Sequence, residues 1–277
     1  MTRALVVNAD DLGLSRGANE GVLRAHRDGI VTSASLAATG PAYAHALETV
    51  VRACPALGVG LHFSLTAGRP LSPAAAVPLL AGADGAFRRG FLSLLVASAL
   101  PRRELLAQVS RELDAQLDRL EADGVRPDHV DGERHVHLIP GVFELVAAAA
   151  ERRRIPFVRL GRDWAPARAS AKSLLLGRLV ERARAAAPSA RSADWLASYR
   201  YTGRLDLLLP SLLASPRDGA VEVMVHPGVP ESSVGTGLAA PLERYLRSED
   251  RRAELDACVA ARGRTDGWTL TTFRGLA

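Results

Sequence analysis

Two cysteines are all that 277 residues contain, and Cys54 and Cys258 lie far apart with no Cys-x-x-Cys spacing. Neither a thiolate metal site nor a disulfide framework is therefore encoded, and the scarcity fits a reducing cytoplasm. No apolar stretch approaches the roughly 18 to 20 uncharged residues that a membrane span requires. No charged leader with an apolar signal core precedes the first strand-like run, so the sequence predicts a soluble, cytoplasmic protein. Aromatic residues make up only 5%. The basic residues are interleaved with acids, as in Arg102-Arg103-Glu104 and Arg111-Glu112, instead of alternating with aromatics along a groove. A net charge of +5 distributed in this way argues against a nucleic-acid partner. Lysine is almost absent: Lys172 is the only one among 35 basic residues, so arginine supplies the other 34, a bias expected of a GC-rich genome.

What is present is apolar: 48% of the chain is hydrophobic, enough for one substantial core, and the length suits a single α/β barrel-like domain over residues 1–277. The run Leu5-Val6-Val7 ending in Asn8-Ala9-Asp10-Asp11-Leu12-Gly13 reads as a buried parallel strand. A helix from Ser15 to about Arg27, a strand over 31–37, a helix over 42–54 and a strand over 57–63 follow. This alternation predicts a parallel sheet. From 64 to 100 the pattern loosens, with Pro70, Pro73, Pro78 and the Gly82-Ala83-Asp84-Gly85 turn, so an insertion beside the site is expected. Leu105, Val109, Leu113, Leu117 and Leu120 mark a long helix. Further strands are expected at 127–130, 155–160, 220–225 and 268–273, a helix opened by Pro140, and a closing helix across 242–261. A helix over about 169–187 carries Leu174, Leu175, Leu176, Leu179 and Val180 against Arg178, Arg182 and Arg184. That pattern allows peripheral membrane contact, and equally packing on a barrel. The segment 161–218 carries little else that can be decoded.

The informative pattern is that successive strand-like runs end in metal-competent or proton-transferring groups: Asp10 and Asp11, then His62, then Glu133 with His135 and His137, then His226. A barrel gathers its strand C-termini on one face and would bring these together. Two adjacent acids can divide labour, one holding a cation while the other takes a proton, although an Asp at a strand end can also simply cap the next helix. In the segment 131–137 the alternate residues Asp131, Glu133, His135 and His137 would point to one side if the chain stayed extended. His226-Pro227-Gly228 makes a tight turn in which the histidine is a candidate for catalysis. The other three of the seven histidines, His26, His45 and His129, are assigned structural or solvent roles.

At these residues the chain resembles the YdjC-like carbohydrate deacetylase family, which includes chito-oligosaccharide deacetylases and deacetylase-like proteins of hopanoid biosynthesis. The likeness rests on Asn8 to Gly13, Val31-Thr32-Ser33-Ala34-Ser35, Gly60-Leu61-His62-Phe63-Ser64-Leu65-Thr66, Asp131 to His137 with Pro140, and His226-Pro227-Gly228. Arg251-x-x-Glu254-Leu255 is similar to the family's closing helix. The resemblance implies an α/β fold, a distorted TIM-type (β/α) barrel, and divalent-metal-dependent removal of an acetyl group from an N-acetylated amino sugar, as oligosaccharide or glycolipid. It makes Asp11 and His62 metal ligands and Asp10 the general base. The family's third metal-binding histidine opens a His-x-His-x-His run, and here that position is Glu133. A carboxylate ligand favours magnesium or manganese over zinc. His135 as the ligand, or an altered activity, are the alternatives: a metal-dependent hydrolase of another bond or a noncatalytic sugar-binding barrel. His226 would protonate the leaving amine, with His135 and His137 left for substrate hydrogen bonds. A homodimer is compatible with the sequence.

Overall fold

The computed structural model describes residues 3–98, 103–164, 171–197, 204–215, 217–231, 238 and 240–276. The first strand, β1 (Arg3–Leu12), sits at the centre of the sheet, between β2 (Ser33–Leu36) and β8 (Gly219–Val225), and both neighbours run parallel to it. From β2 the sheet continues through β3 (Gly58–Phe63) and β4 (His129–Gly132) to β5 (Phe157–Val158). From β8 it continues through β7 (Trp195–Ala197) to β6 (Arg162–Asp163). β5 and β6 are the two ends of one bent stretch. Its start pairs with β4 and its end with β7, and the Val158 N–H donates to the Arg191 carbonyl at 3.0 Å. The two sheet edges thus meet on one segment, and the parallel ladder closes into a distorted barrel. β9 (Thr269–Leu270) adds alongside the start of β1.

The two-residue period of β1 separates the layers. Leu5, Val7 and Ala9 join the large core beneath the surrounding helices. Val6, Asn8 and Asp10 face inward: Val6 packs with Phe157 and Phe273 as an apolar plug, while Asn8 and Asp10 enter a polar network above it. Helix α1 (Arg16–Arg27) starts at Ser15, whose hydroxyl accepts the Ala18 N–H at 3.0 Å. Gly21 lets α1 touch the turn after β8, because a Cβ there would lie 2.4 Å from the Gly228 Cα.

Several elements depart from the sequence expectation. The helix expected over 42–54 is α2 (Tyr43–Ala46) running into a π-turn at Leu47–Val51. The insertion holds a 3-10 turn, Ala74–Ala76, and α3 (Phe91–Ala97). It is pinned by the long helix α4 (Arg103–Ala122): the buried Glu112 carboxylate accepts the Leu71 and Ser72 N–H groups at 2.9 Å each, and Gln108 accepts that of Leu79. Pro140 lies two residues before α5 (Val142–Arg153). The basic helix α6 (Ala171–Ala186) buries Leu176, Leu179, Val180 and Ala183 against the barrel, while Leu174 stays exposed; residues 169 and 170 lie outside the described residues. Among the described residues no helix is long and apolar enough to cross a membrane. α7 (Leu205–Leu213) fills part of the segment that the sequence left blank. The closing helix is two, α8 (Ala240–Leu246) and α9 (Glu249–Ala260), divided at Arg247-Ser248, and the last strand shrinks to β9.

Candidate functional site

The C-terminal ends of the strands converge on a buried arginine. Arg159, just past β5, donates to both oxygens of Asp10 at 2.6 and 2.8 Å, to Glu222 Oε1 at 2.7 Å, and lies 2.6 Å from Asp131 Oδ2. Asn8 Nδ2 donates to Asp10 Oδ1 at 2.9 Å and to the Ser35 hydroxyl at 2.8 Å, and Ser35 donates to Asp131 Oδ2 at 2.7 Å. His129 completes the net, between Ser35 and Asp128, in the structural role assigned to it. Burial works against a charged Asp131, but Arg159 and His62 outweigh it and hold that carboxyl well below the usual range. Glu222 goes the other way: its burial raises the carboxyl beyond what Arg159 offsets.

Adjacent strand residues ordinarily face opposite sides of a sheet. Asp10 and Asp11 nevertheless share one cavity, because the β1–β2 register shifts between Ala9 and Leu12 and Asp11 adopts a left-handed backbone, φ 70°. Asp11 Oδ2 takes a 2.7 Å contact from Arg251 Nη1, and Oδ1 lies 3.6 Å from His62 Nε2. His62 Nδ1 sits 2.7 Å from Asp131 Oδ1. With Asp131 ionised, Nδ1 carries the proton and the ring is oriented with Nε2 toward Asp11. Burial alone would raise Asp11, but His62 and Arg251 override it and keep the carboxyl far below its ordinary value. Burial would lower His62, and the Asp131 charge with the contacts to Asp11 and Asp131 raise it well above 6.5.

The segment after β4 is not extended, so the alternate residues 131 to 137 form no one-sided rank. Glu133–Leu138 is a 3-10 turn with Arg134 and His135 at φ 50° and 62°. This turn brings Glu133 and His135 to the cavity. Glu133 Oε2 accepts the Thr66 hydroxyl and Oε1 pairs with Arg134 Nε at 2.9 Å; burial still raises its carboxyl. Burial, together with the nearby His137 and Arg159, pushes His135 well down, so its ring is neutral. His137 is fully buried, and its Nε2 meets the Arg159 carbonyl at 3.0 Å. Burial pushes it down to about 4. It stands behind the cavity wall and supports the network from there.

His226 follows β8. Its N–H donates to Glu254 Oε2, its Nδ1 lies 3.6 Å from the same carboxylate, and Tyr245 of α8 meets the ring edge-on at 5.8 Å. Burial would lower the imidazole, but Glu254 beside it raises it. Asp10, Asp11, His62, Glu133, His135 and His226 all line one cavity of about 300 Å³, with Arg134, Lys172, Met224 and Tyr245 around them. Of the site residues singled out from sequence, His137 and Asp131 are outside that lining. Asp10, His62 and Asp131 each bring a ligand atom within 4.8 Å of one another, a donor set dense enough to hold a cation. Arg159 and Glu222 went unassigned in the sequence, though each is a charged residue inside an otherwise apolar strand run, which is the signal that could have found them. Asn8, Ser35, Arg251 and Glu254 lie in recognisable motifs without an evident role there.

A closed parallel barrel whose C-terminal mouth gathers buried carboxylates and imidazoles around a polar cavity defines a class: α/β-barrel proteins with a cation-competent site at the enzyme-bearing end. The chain belongs to the family of YdjC-like proteins, whose sequence profile matches residues 4–265. It is 46% identical over 156 residues to a carbohydrate deacetylase of Geobacillus stearothermophilus, a match covering 56% of this chain and 59% of that one. It is 40% identical over 158 residues to a chitooligosaccharide deacetylase of Proteus mirabilis, covering 56% and 58%. The chain thus spans somewhat more than half the length of these relatives. Its fold is similar to that of an Enterococcus faecalis V583 protein described as a cellobiose-phosphate cleavage protein, with a TM-score of 0.75, 23% identity and 100% of both chains covered.

Proposed function

We propose that this chain is a divalent-metal-dependent hydrolase that removes the acetyl group from an N-acetylated amino sugar. The observation that carries the reading is the setting of His62: Nδ1 is engaged by Asp131 at 2.7 Å, and Nε2 faces Asp11 Oδ1 across 3.6 Å. That gap exceeds a hydrogen bond and leaves two donor atoms that would both turn to one ion. Asp10 and Asp131 already spend oxygens on Arg159. Asp11 keeps Oδ1 clear of its arginine partner and turned to His62, whereas both oxygens of Asp10 face Arg159, so we favour Asp11 and His62 as ligands, with Glu133 as the third. Their oxygen-rich set favours magnesium or manganese over zinc. The names of the two relatives point to the substrate class.

A divalent ion held there supplies Lewis acidity, polarising an acetyl carbonyl and lowering the pKa of water at the site. Asp10, fixed by Arg159 and Asn8, accepts the proton of the attacking water. His226, whose protonated form Glu254 favours against burial, donates a proton to the departing amine nitrogen. His135, neutral and lining the cavity, offers a ring nitrogen to a sugar hydroxyl. The buried Cys54 and Cys258 are unpaired thiols, and we place the protein in the cytoplasm as a single domain. The test is acetate release from N-acetylglucosamine oligomers and N-acetylated glycolipids with added Mg2+, Mn2+ or Zn2+. Release of acetate with one free amine per turnover supports the reading. Metal-replete protein that releases none from any of them overturns it.

A further inference from the structure

The Arg251-x-x-Glu254 pair of α9 takes no direct part in the chemistry above, yet both side chains reach the site from far along the chain. We propose that Arg251 is a positioning residue for the metal-binding carboxylate: it holds Asp11 Oδ2 so that Oδ1 stays turned to His62. The inference rests on the reading of Asp11 as a ligand.

Asp11 needs such support, because it sits in a left-handed backbone at a break in the strand register, where nothing in the ladder fixes its side chain. Arg251 Nη1 meets Oδ2 at 2.7 Å, and the opposite oxygen is the one 3.6 Å from His62 Nε2. The guanidinium is itself immobilised. It is 1% exposed, lies 5.1 Å over the Tyr245 ring, and places Nη2 3.5 Å from the Pro227 carbonyl. The helix is tied to the end of β8 as well: the Gly228 N–H donates to the Arg251 carbonyl at 3.0 Å, and one turn on, Glu254 accepts the His226 N–H. α9 therefore braces the two strand ends that carry Asp11 and His226.

Two roles for Arg251 predict opposite signs. If its charge merely opposed a cation, removing it would tighten metal binding. If it positions Asp11, removing it loosens binding, as losing a partner of a metal ligand typically does by 10- to 100-fold. Titrating Mn2+ into the full chain by calorimetry separates them. Arg251→Met should weaken Mn2+ about tenfold or more. Arg251→Lys, which can keep a single N–O contact, should stay within about threefold of the original protein by the same measure. Equal or tighter Mn2+ binding in Arg251→Met overturns the inference while leaving the metal reading intact. An unmutated protein that binds no Mn2+, Mg2+ or Zn2+ overturns both. Hydrogen exchange on the unmutated protein decides the matter if Arg251→Met does not fold. Mn2+ should slow exchange in 249–260 but not in 103–122, and no change in α9 overturns the inference.

Discussion

Arg159 grips Asp10 by both carboxylate oxygens, at 2.6 and 2.8 Å, from 149 residues away in the chain. The same guanidinium also contacts Asp131 and Glu222, so three buried carboxyl groups share one buried cation.

Arg159→Ala should therefore cost stability before it costs chemistry. Removing one partner of a buried ion pair leaves uncompensated charge and typically destabilises by about 3–5 kcal/mol. Urea unfolding followed by circular dichroism reads the loss, and a variant as stable as the original would show that the network carries no net load.

Asp10 and Asp11 should separate turnover from metal affinity. Asp10→Asn is expected to bind Mn2+ almost normally while acetate release falls by about 100-fold or more, the usual worth of a general base. Asp11→Asn should lose Mn2+ affinity itself. The opposite ranking in calorimetry would assign the ion to Asp10, His62 and Asp131 instead.

Glu133→His exchanges a hard oxygen donor for an imidazole at the cavity wall. The ratio of zinc to manganese affinity should rise, because imidazole suits zinc and carboxylate suits manganese. Competition dialysis measures the ratio, and an unchanged value would remove Glu133 from the ligand set.

The pH dependence follows from His226, which Glu254 raises above 6.5 against the opposing effect of burial. A histidine raised on folding contributes stability that is complete below 6.5 and is lost as pH climbs through its folded-state value. In the proton-donor role proposed for it, it should also define the alkaline limb of the pH–rate profile. Glu254→Gln removes the charge and should move both the His226 titration, followed by NMR in metal-free protein, and the alkaline limb to lower pH. A titration that stays in place would separate His226 from Glu254.

Much of the site was legible because it obeys local rules: apolar runs make the strands, and their last residues are polar. The alternating rhythm carried the parallel sheet, whereas its closure into a ring was implied by the family resemblance. What escaped depends on partners distant in the chain. Arg159 and Glu222 are 63 residues apart and make sense only face to face inside the barrel. The left-handed turns at Asp11, Arg134 and His135 are imposed by packing, since none of the three is a glycine. The extended geometry expected over 131–137 failed for that reason, and the same turn placed His137 behind the wall. β7 is three residues long, too short for a period to declare itself.

Lys172 stands at the cavity mouth as the sole lysine in the chain. Apart from the α-amine, it is the only primary amine the protein offers to an acylating dye. A fluorophore attached there would sit beside Asp10, Asp11 and Glu133 without engineering, and its emission would register arrivals at the pocket directly.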